Sequence, residues 1–274
     1  MNSVKISVVL CEVNLKYHNS MTKTIFITGA TSGFGEATAL LFAQNKHRLI
    51  ITGRRADRLA NLKSKIEKEF QTEVLTLNFD VCSQPQVAKA IEGLPSDWRH
   101  IDVLVNNAGL ASGFDPIQTG NLADWEKMID TNVKGLLYVS KEIIPIMITN
   151  KKGHIINIGS TAGKEVYANG NVYCASKYAV DAITKGMRID LLQYGIKVTQ
   201  IAPGAANTEF ATVRFHGDKT KADSVYKGYQ PMVAKDIAEI IYYSTTLPEH
   251  LCINDLVVTA VAQANSVYFH KTNV

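Results

Sequence analysis

Residues 24–35 read TIFITGATSGFG, and the fold turns on how this stretch is read. Thr24, Ile25, Phe26, Ile27 and Thr28 are β-branched or aromatic with no polar alternation, the pattern of a strand covered on both faces. The strand runs into Thr28-Gly29-Ala30-Thr31-Ser32-Gly33-Phe34-Gly35, a TGxxxGxG spacing that opens a helical pattern. Glycine tolerates positive φ and lets backbone approach a ligand closely. The helix N-terminus that follows offers N–H groups and a positive dipole end to a pyrophosphate. A glycine-rich turn means little alone, but between strand and helix at the start of a βαβ unit it predicts a nucleotide site. Gly29, Thr31, Ser32, Gly33, Phe34 and Gly35 are therefore the first cofactor-binding candidates.

The same alternation continues outward. Strand-like runs occupy 24–28, 48–52, 73–79, 102–105, 154–159, 197–202 and 255–260, and helical patterns occupy 34–45, 55–70, 84–93, 122–150, 172–194 and 234–246. Strand–helix alternation with right-handed crossovers predicts one α/β domain over 21–274: a doubly wound parallel sheet of about seven strands with helices on both faces. The one long stretch without clear pattern is 204–232. It follows a strand at the carboxyl edge of the sheet, where such folds bind ligands, and is read as a substrate lid.

Composition excludes several classes. The chain is 274 residues long, 46% hydrophobic and 20% charged, with a mild net charge of +4 and scattered basic residues, so charge gives no case for nucleic acid. No apolar run reaches the roughly 20 residues of a membrane helix. Cys11, Cys82, Cys174 and Cys252 lie far apart without CxxC spacing, which fits a reduced cytoplasmic protein better than a disulfide framework or zinc site. Residues 1–20 offer only Lys5 as a basic n-region and no small-residue cleavage site, which argues against a signal peptide. We expect translation to begin at Met21 and 1–20 to be a disordered or non-native extension; an intact mass that includes it would refute this.

The second strand-like run ends Thr52-Gly53-Arg54-Arg55. A carboxylate here would accept from a ribose 2′-hydroxyl, and this chain has none; Asp57 comes too late. Arg54 and Arg55 can instead grip a 2′-phosphate, which favours NADP(H) over a solvated basic helix start. Asp80-Val81 follows the third strand and Asn106-Asn107-Ala108-Gly109 the fourth, each at a carboxyl end where a cofactor runs, though such residues also make ordinary turns.

Tyr173-Cys174-Ala175-Ser176-Lys177 is a YxxxK spacing that puts phenol and ammonium on one helix face. A neighbouring cation lowers the tyrosine pKa toward the working range of a general acid–base. The spacing is common, and its companions give it meaning. Ser160, in Gly159-Ser160-Thr161-Ala162-Gly163 after the fifth strand, can orient a carbonyl. Asn132 is an unfavourable choice inside a helix and would otherwise be a surface or kink residue. His47, His154 and His216 are isolated and read as structural or exposed, and no cluster suggests a metal.

From Met21 onward the chain resembles the short-chain dehydrogenase/reductase family, on TGxxxGxG, NNAG, Asn132, Ser160, Tyr173, Lys177 and Pro203-Gly204. The resemblance implies a Rossmann-type fold with Tyr173, Lys177, Ser160 and Asn132 catalytic. It further implies that Asp80 and Val81 flank the adenine, that Asn107 and Gly109 line the nucleotide site, and that Asn132 holds a water in a proton relay. Lys177 would bind the nicotinamide ribose, and Pro203 to Thr208, including Gly204, would close on the nicotinamide. The family commonly forms tetramers through its long helices, here 122–150 and 172–194.

Several stretches, among them 121–135, 154–163, 171–177 and 208–218, are also similar to NADP-dependent 3-hydroxy acid dehydrogenases, which act on serine, allo-threonine and related acids. Ala205-Ala206-Asn207 departs from that pattern, so the substrate cavity can differ in size. Arg214 in the lid suits a substrate carboxylate, unless it is exposed or pairs with Asp218 or Glu209. Two other readings stay open: a reductase of neutral ketones, aldehydes, sugars or acyl thioesters, and an NADP-sensing protein without turnover. The second conflicts with a complete catalytic set.

Overall fold

The computed structural model describes residues 22–272; the expected extension and start at Met21 lie outside them. The strands are β1 (Thr24–Ile27), β2 (Arg48–Gly53), β3 (Val74–Asn78), β4 (Val103–Asn106), β5 (Gly153–Ile158), β6 (Ile196–Pro203), β7 (Ala206–Asn207), β8 (Met232–Val233) and β9 (Asp255–Val258). The helices are α1 (Gly33–Gln44), α2 (Ala56–Phe70), α3 (Gln84–Glu92), α4 (Leu122–Ile129), α5 (Leu136–Thr149), α6 (Asn171–Asp190), α7 (Glu209–Arg214), α8 (Lys219–Ser224) and α9 (Ala234–Thr246). Seven strands form one sheet in the order β3-β2-β1-β4-β5-β6-β9, and every pairing is parallel. This is the expected Rossmann-type architecture.

Central strands carry no alternation because both of their faces are covered. Ile25, Phe26 and Ile27 of β1 are fully buried, with Ile25 and Ile27 in the core shared with α1, α2 and α9 and Phe26 in the core shared with α3, α5 and α6. Truncating any of them to Ala removes contacts worth about 2–5 kcal/mol. At the sheet edge β9 alternates exposed and half-buried, as a strand with one uncovered face should. Strand order reverses between β1 and β4, so the chain leaves these two strands in opposite directions and opens a crevice at their carboxyl ends.

Two expectations change. The long 122–150 helix is α4 and α5 joined by a π-helical turn, Asp130–Gly135, which contains Asn132. The 204–232 stretch holds more structure than its composition suggests: β7 pairs with β8, and α7 and α8 lie between them. Helices of six residues present too little of a turn pattern to be read from periodicity. Among the described residues, no helix is long and apolar enough to cross a membrane.

Candidate active site

A cleft of about 680 Å³ runs across the carboxyl ends of the strands, from the glycine loop to the segment that carries α7. At its first end, Gly33 sits at φ +56°, where an L side chain would be strained. A Cβ on Gly35 would lie 2.4 Å from the Gly29 carbonyl oxygen, so only glycine lets α1 start this close to the loop. Ser32 makes no side-chain cap to α1, which leaves first-turn N–H groups available to an anion. The cradle fits a pyrophosphate.

The arginine pair divides. Among the described residues Arg54 pairs only with Asp80, at 3.5 Å, and its side chain is 58% exposed, which leaves room for a phosphate. Arg55 is already engaged: Nε and Nη2 donate to Thr31 Oγ1 at 3.1 and 2.9 Å, Nη2 to Ser32 Oγ at 2.9 Å, and Nη1 to Glu209 at 3.1 Å. Arg55 thus braces the glycine loop, while Arg54 keeps most of its guanidinium exposed. Burial works against the Asp80 carboxylate, but the Cys82 N–H and Arg54 outweigh it and hold its pKa below the usual range. Val81 packs against Gly135 in the π-turn.

The NNAG segment is bolted to the glycine loop. Asn107 Nδ2 donates to Thr28 O at 2.8 Å and Gly29 O at 3.1 Å. Gly109 lies beside Asn132 Oδ1 and Lys177 Nζ, which a Cβ there would meet at 3.2 and 3.5 Å. Asn132 is buried and its amide is engaged: Nδ2 donates to Leu110 O and Ser176 Oγ, and Oδ1 accepts from Leu110 N at 2.8 Å. The side chain thus tethers the loop after Gly109 to α6, and neither of its N–H groups is left over for a water. π-turns recur at functional sites because they redirect one turn of helix; here the turn delivers Asn132 to that loop.

Ser160 lies two residues past β5, where it caps the turn Thr161–Gly163, accepts from Ala162 N at 3.1 Å and donates to Pro203 O at 3.4 Å. Tyr173 and Lys177 project from α6 into the same cleft, both buried. Burial pushes the Tyr173 phenol up, aided by Tyr167 and opposed by Ser160 and Arg214. Burial pushes Lys177 down to about 8, while its Nζ donates to Ile158 O at 2.9 Å. The expected lowering of the phenol by its helix neighbour is absent, since Arg214 is the cation acting on Tyr173 and burial outweighs it. In this state Tyr173 is a phenol across the neutral range.

At the second end, Thr208 caps α7 and rests on Gly33. Phe210 packs edge-on against Tyr173, with ring centres 5.6 Å apart. Arg214 sits 4.5 Å over the Phe114 ring and donates to Tyr167 Oη at 2.9 Å. Its Nε and Nη2 are buried without a hydrogen-bond partner among the described residues. It pairs with neither alternative: Asp218 caps α8 and meets Lys221, and Glu209 meets Arg55 and Arg58. Gly204 lies against Gln263, whose Oε1 accepts from Ala205 N at 2.9 Å.

Phe114, Tyr167, Gln263, Ser266 and Phe269 line the cleft and had no signal in the sequence, because their placement depends on loops meeting across the fold. The three histidines singled out in the sequence do not line the cleft. His47 and His154 are buried, with pKa values pushed by burial down to about 4 and about 3, and His216 lies exposed beside Asp124.

The family model described as short chain dehydrogenase matches residues 23–219. The chain belongs to this family. Its curated relatives include the NADP-dependent 3-hydroxy acid dehydrogenase YdfG of Salmonella typhi, 44% identical over 88% of this chain and 96% of the relative. Sulfoacetaldehyde reductase 2 of Chromohalobacter salexigens is 43% identical over 90% of this chain and 98% of the relative. Among solved structures, the closed form of a serine dehydrogenase complexed with NADP+ superposes with a TM-score of 0.85 at 40% identity, covering 91% of this chain and all of that one. A serine dehydrogenase from Escherichia coli matches with a TM-score of 0.77 at 38% identity, over 88% of this chain and 99% of that one. This dehydrogenase is thus an oxidoreductase of CH–OH groups, similar along nearly its whole described length to enzymes named for small acids.

Proposed function

We propose that this NADP(H)-dependent oxidoreductase interconverts the 3-hydroxyl and 3-oxo groups of a small 3-hydroxy acid, of the serine, allo-threonine or 3-hydroxypropionate type. The observation that carries the reading is Arg214, a half-buried residue whose guanidinium atoms Nε and Nη2 are buried and unpartnered among the described residues, close to Tyr173 in the same cleft. Buried donors without an acceptor are costly, and a planar carboxylate would satisfy both through two parallel hydrogen bonds. The YdfG relatives are named for 3-hydroxy acids, and sulfoacetaldehyde in the other relative's name also carries an anion close to its carbonyl.

NADP(H), when bound, supplies or takes up the hydride. The glycine loop and the start of α1 would hold its pyrophosphate, Arg54 its 2′-phosphate, and Lys177 with the 203–208 segment its nicotinamide end. In the reduction direction Tyr173 donates its phenol proton to the carbonyl oxygen, and Ser160 Oγ steadies that oxygen as negative charge develops. In the oxidation direction the same phenolate takes the proton back. Arg214 fixes the acid end, so the reacting carbon is presented at one distance from Tyr173. Asn132 serves through position, holding the loop after Gly109 against α6. The reading includes a cytoplasmic homotetramer without nucleic-acid or membrane partners, which size exclusion with light scattering tests.

A substrate panel tests the acid reading: D- and L-serine, allo-threonine, 3-hydroxypropionate, 3-hydroxybutyrate and neutral alcohols, each with NADP and NAD. We expect acids to turn over and neutral alcohols to lag. A preference for neutral alcohols would overturn the acid reading and favour a general carbonyl reductase.

A further inference from the structure

α7 is only six residues long, and helices far below about 12 residues do not hold themselves in water. Something outside it must fix its place. Its first residue, Glu209, receives Arg55 Nη1 on one carboxylate oxygen at 3.1 Å and Arg58 Nη1 on the other at 2.7 Å. Arg55 carries the connection onward, because its remaining donors hold Thr31 and Ser32 of the glycine loop. The last residue of α7 is Arg214. One short helix therefore has the cofactor loop at one end and the unpartnered guanidinium at the other.

We propose that Glu209 is a positioning residue whose pairing with Arg55 and Arg58 latches α7 to the glycine loop and thereby sets where Arg214 stands in the substrate cleft. The proposal rests on the reading that Arg214 receives an acid. A second contact joins the same two segments, since Thr208 rests on Gly33, and the far end of α7 is held separately by Gly113 N donating to Arg214 O at 3.0 Å. Burial works against the Glu209 carboxylate, but the two arginines outweigh it and keep it ionised at neutral pH. Each pair is half exposed and weak alone, yet both converge on one carboxylate that begins the helix. A purely local surface pair would have no reason to alter substrate affinity. A latch would alter it while leaving the chemical step alone.

The competing role for Glu209 is to contend with a 2′-phosphate for Arg55, which would make it a cofactor-discriminating residue instead. Glu209→Gln in the full chain separates the two. A latch predicts faster amide hydrogen exchange over 206–224, with KM for the acid substrate raised about two- to fivefold, the scale of exposed ion pairs. It also predicts little change in kcat and in the Kd of NADPH. Arg58→Gln should act in the same direction, and the double variant should be no worse than the stronger single, since both remove the same contact. Glu209→Asp should restore part of the loss. Unchanged exchange over 206–224 would overturn the latch, as would a tighter Kd for NADPH with KM for the acid unaltered. Hydrogen exchange needs no substrate, so it judges the latch even if the panel shows that the substrate is not an acid.

Discussion

The two ends of the cleft hold their functional groups by opposite means. At the glycine loop, backbone geometry does the positioning: Gly33 at positive φ, Gly35 against a carbonyl, and Asn107 hydrogen-bonded to Thr28 and Gly29. Asn107 and Arg55 are already engaged there, while the first-turn N–H groups of α1 and most of Arg54 stay open. At the Arg214 end, aromatic rings from distant segments surround a guanidinium that keeps two donors in reserve. The first end is built to accept one fixed shape. The second is built around one charge, and its walls come from loops that can change independently.

That contrast can be broken most sharply where the ends meet. Tyr173→Phe removes the proton donor while leaving the backbone cradle intact, so kcat should fall by about a thousandfold with NADPH affinity nearly unchanged, checked by steady-state rates and fluorescence titration. Retained turnover would displace Tyr173 from its role. The next largest effect belongs to the charged end. Arg214→Ala should cut kcat/KM for the acid by about ten- to a hundredfold, mostly through KM, and leave KM for NADP in place. Arg214→Lys should recover only part, since an ammonium cannot make the two parallel bonds.

The arginines at the other end test whether the cofactor cradle is tuned to a 2′-phosphate. Arg54→Ala should lower the preference for NADP over NAD by about tenfold, with little effect on NAD kinetics. Arg55→Ala should weaken both cofactors and also raise KM for the acid, because it supports the loop and the latch together. Equal behaviour of the two variants would erase the distinction drawn between them.

The smallest effect concerns pH. Lys177 has its pKa pushed from 10.5 to about 8 in the folded chain, so between those values the unfolded chain binds a proton that the folded chain does not. Stability contributed by this site therefore rises with pH across that window, and the full penalty applies below about 8. Lys177→Met should abolish turnover yet stabilise the fold at pH 7, on the order of 1–2 kcal/mol once the lost bond to Ile158 O is counted, read as a higher Tm. The Tm gap should shrink as pH approaches 10; a gap that widens would contradict the assignment.

Much of the cofactor end was legible in the sequence because it is written in local patterns: a strand, a glycine spacing and a helix within residues 24–44. Tyr173 and Lys177 share one helix, and Ser160 follows closely on a strand, so each could be placed by its own element. The substrate end resisted for a physical reason. Phe114, Tyr167 and Arg214 meet only because three connections fold over the sheet, and no periodicity records such meetings. The division between Arg54 and Arg55 was hidden for the same reason, since it depends on Glu209, far along the chain. Gln263 closing on Ala205 belongs to this group too.

The π-turn at Asp130–Gly135 also bears on how the gene can tolerate insertions and deletions. Such a turn carries one residue more than a regular helical turn, and each residue of an α-helix rotates the next by about 100°. Deleting any single codon in 130–135 would let α4 and α5 merge into one uninterrupted helix. The product would be a better helix and a worse enzyme, with the Asn132 tether to Leu110 and Ser176 turned out of reach. Reading-frame-preserving losses here should therefore be well folded and inactive, a combination that point substitutions at the same positions would rarely produce.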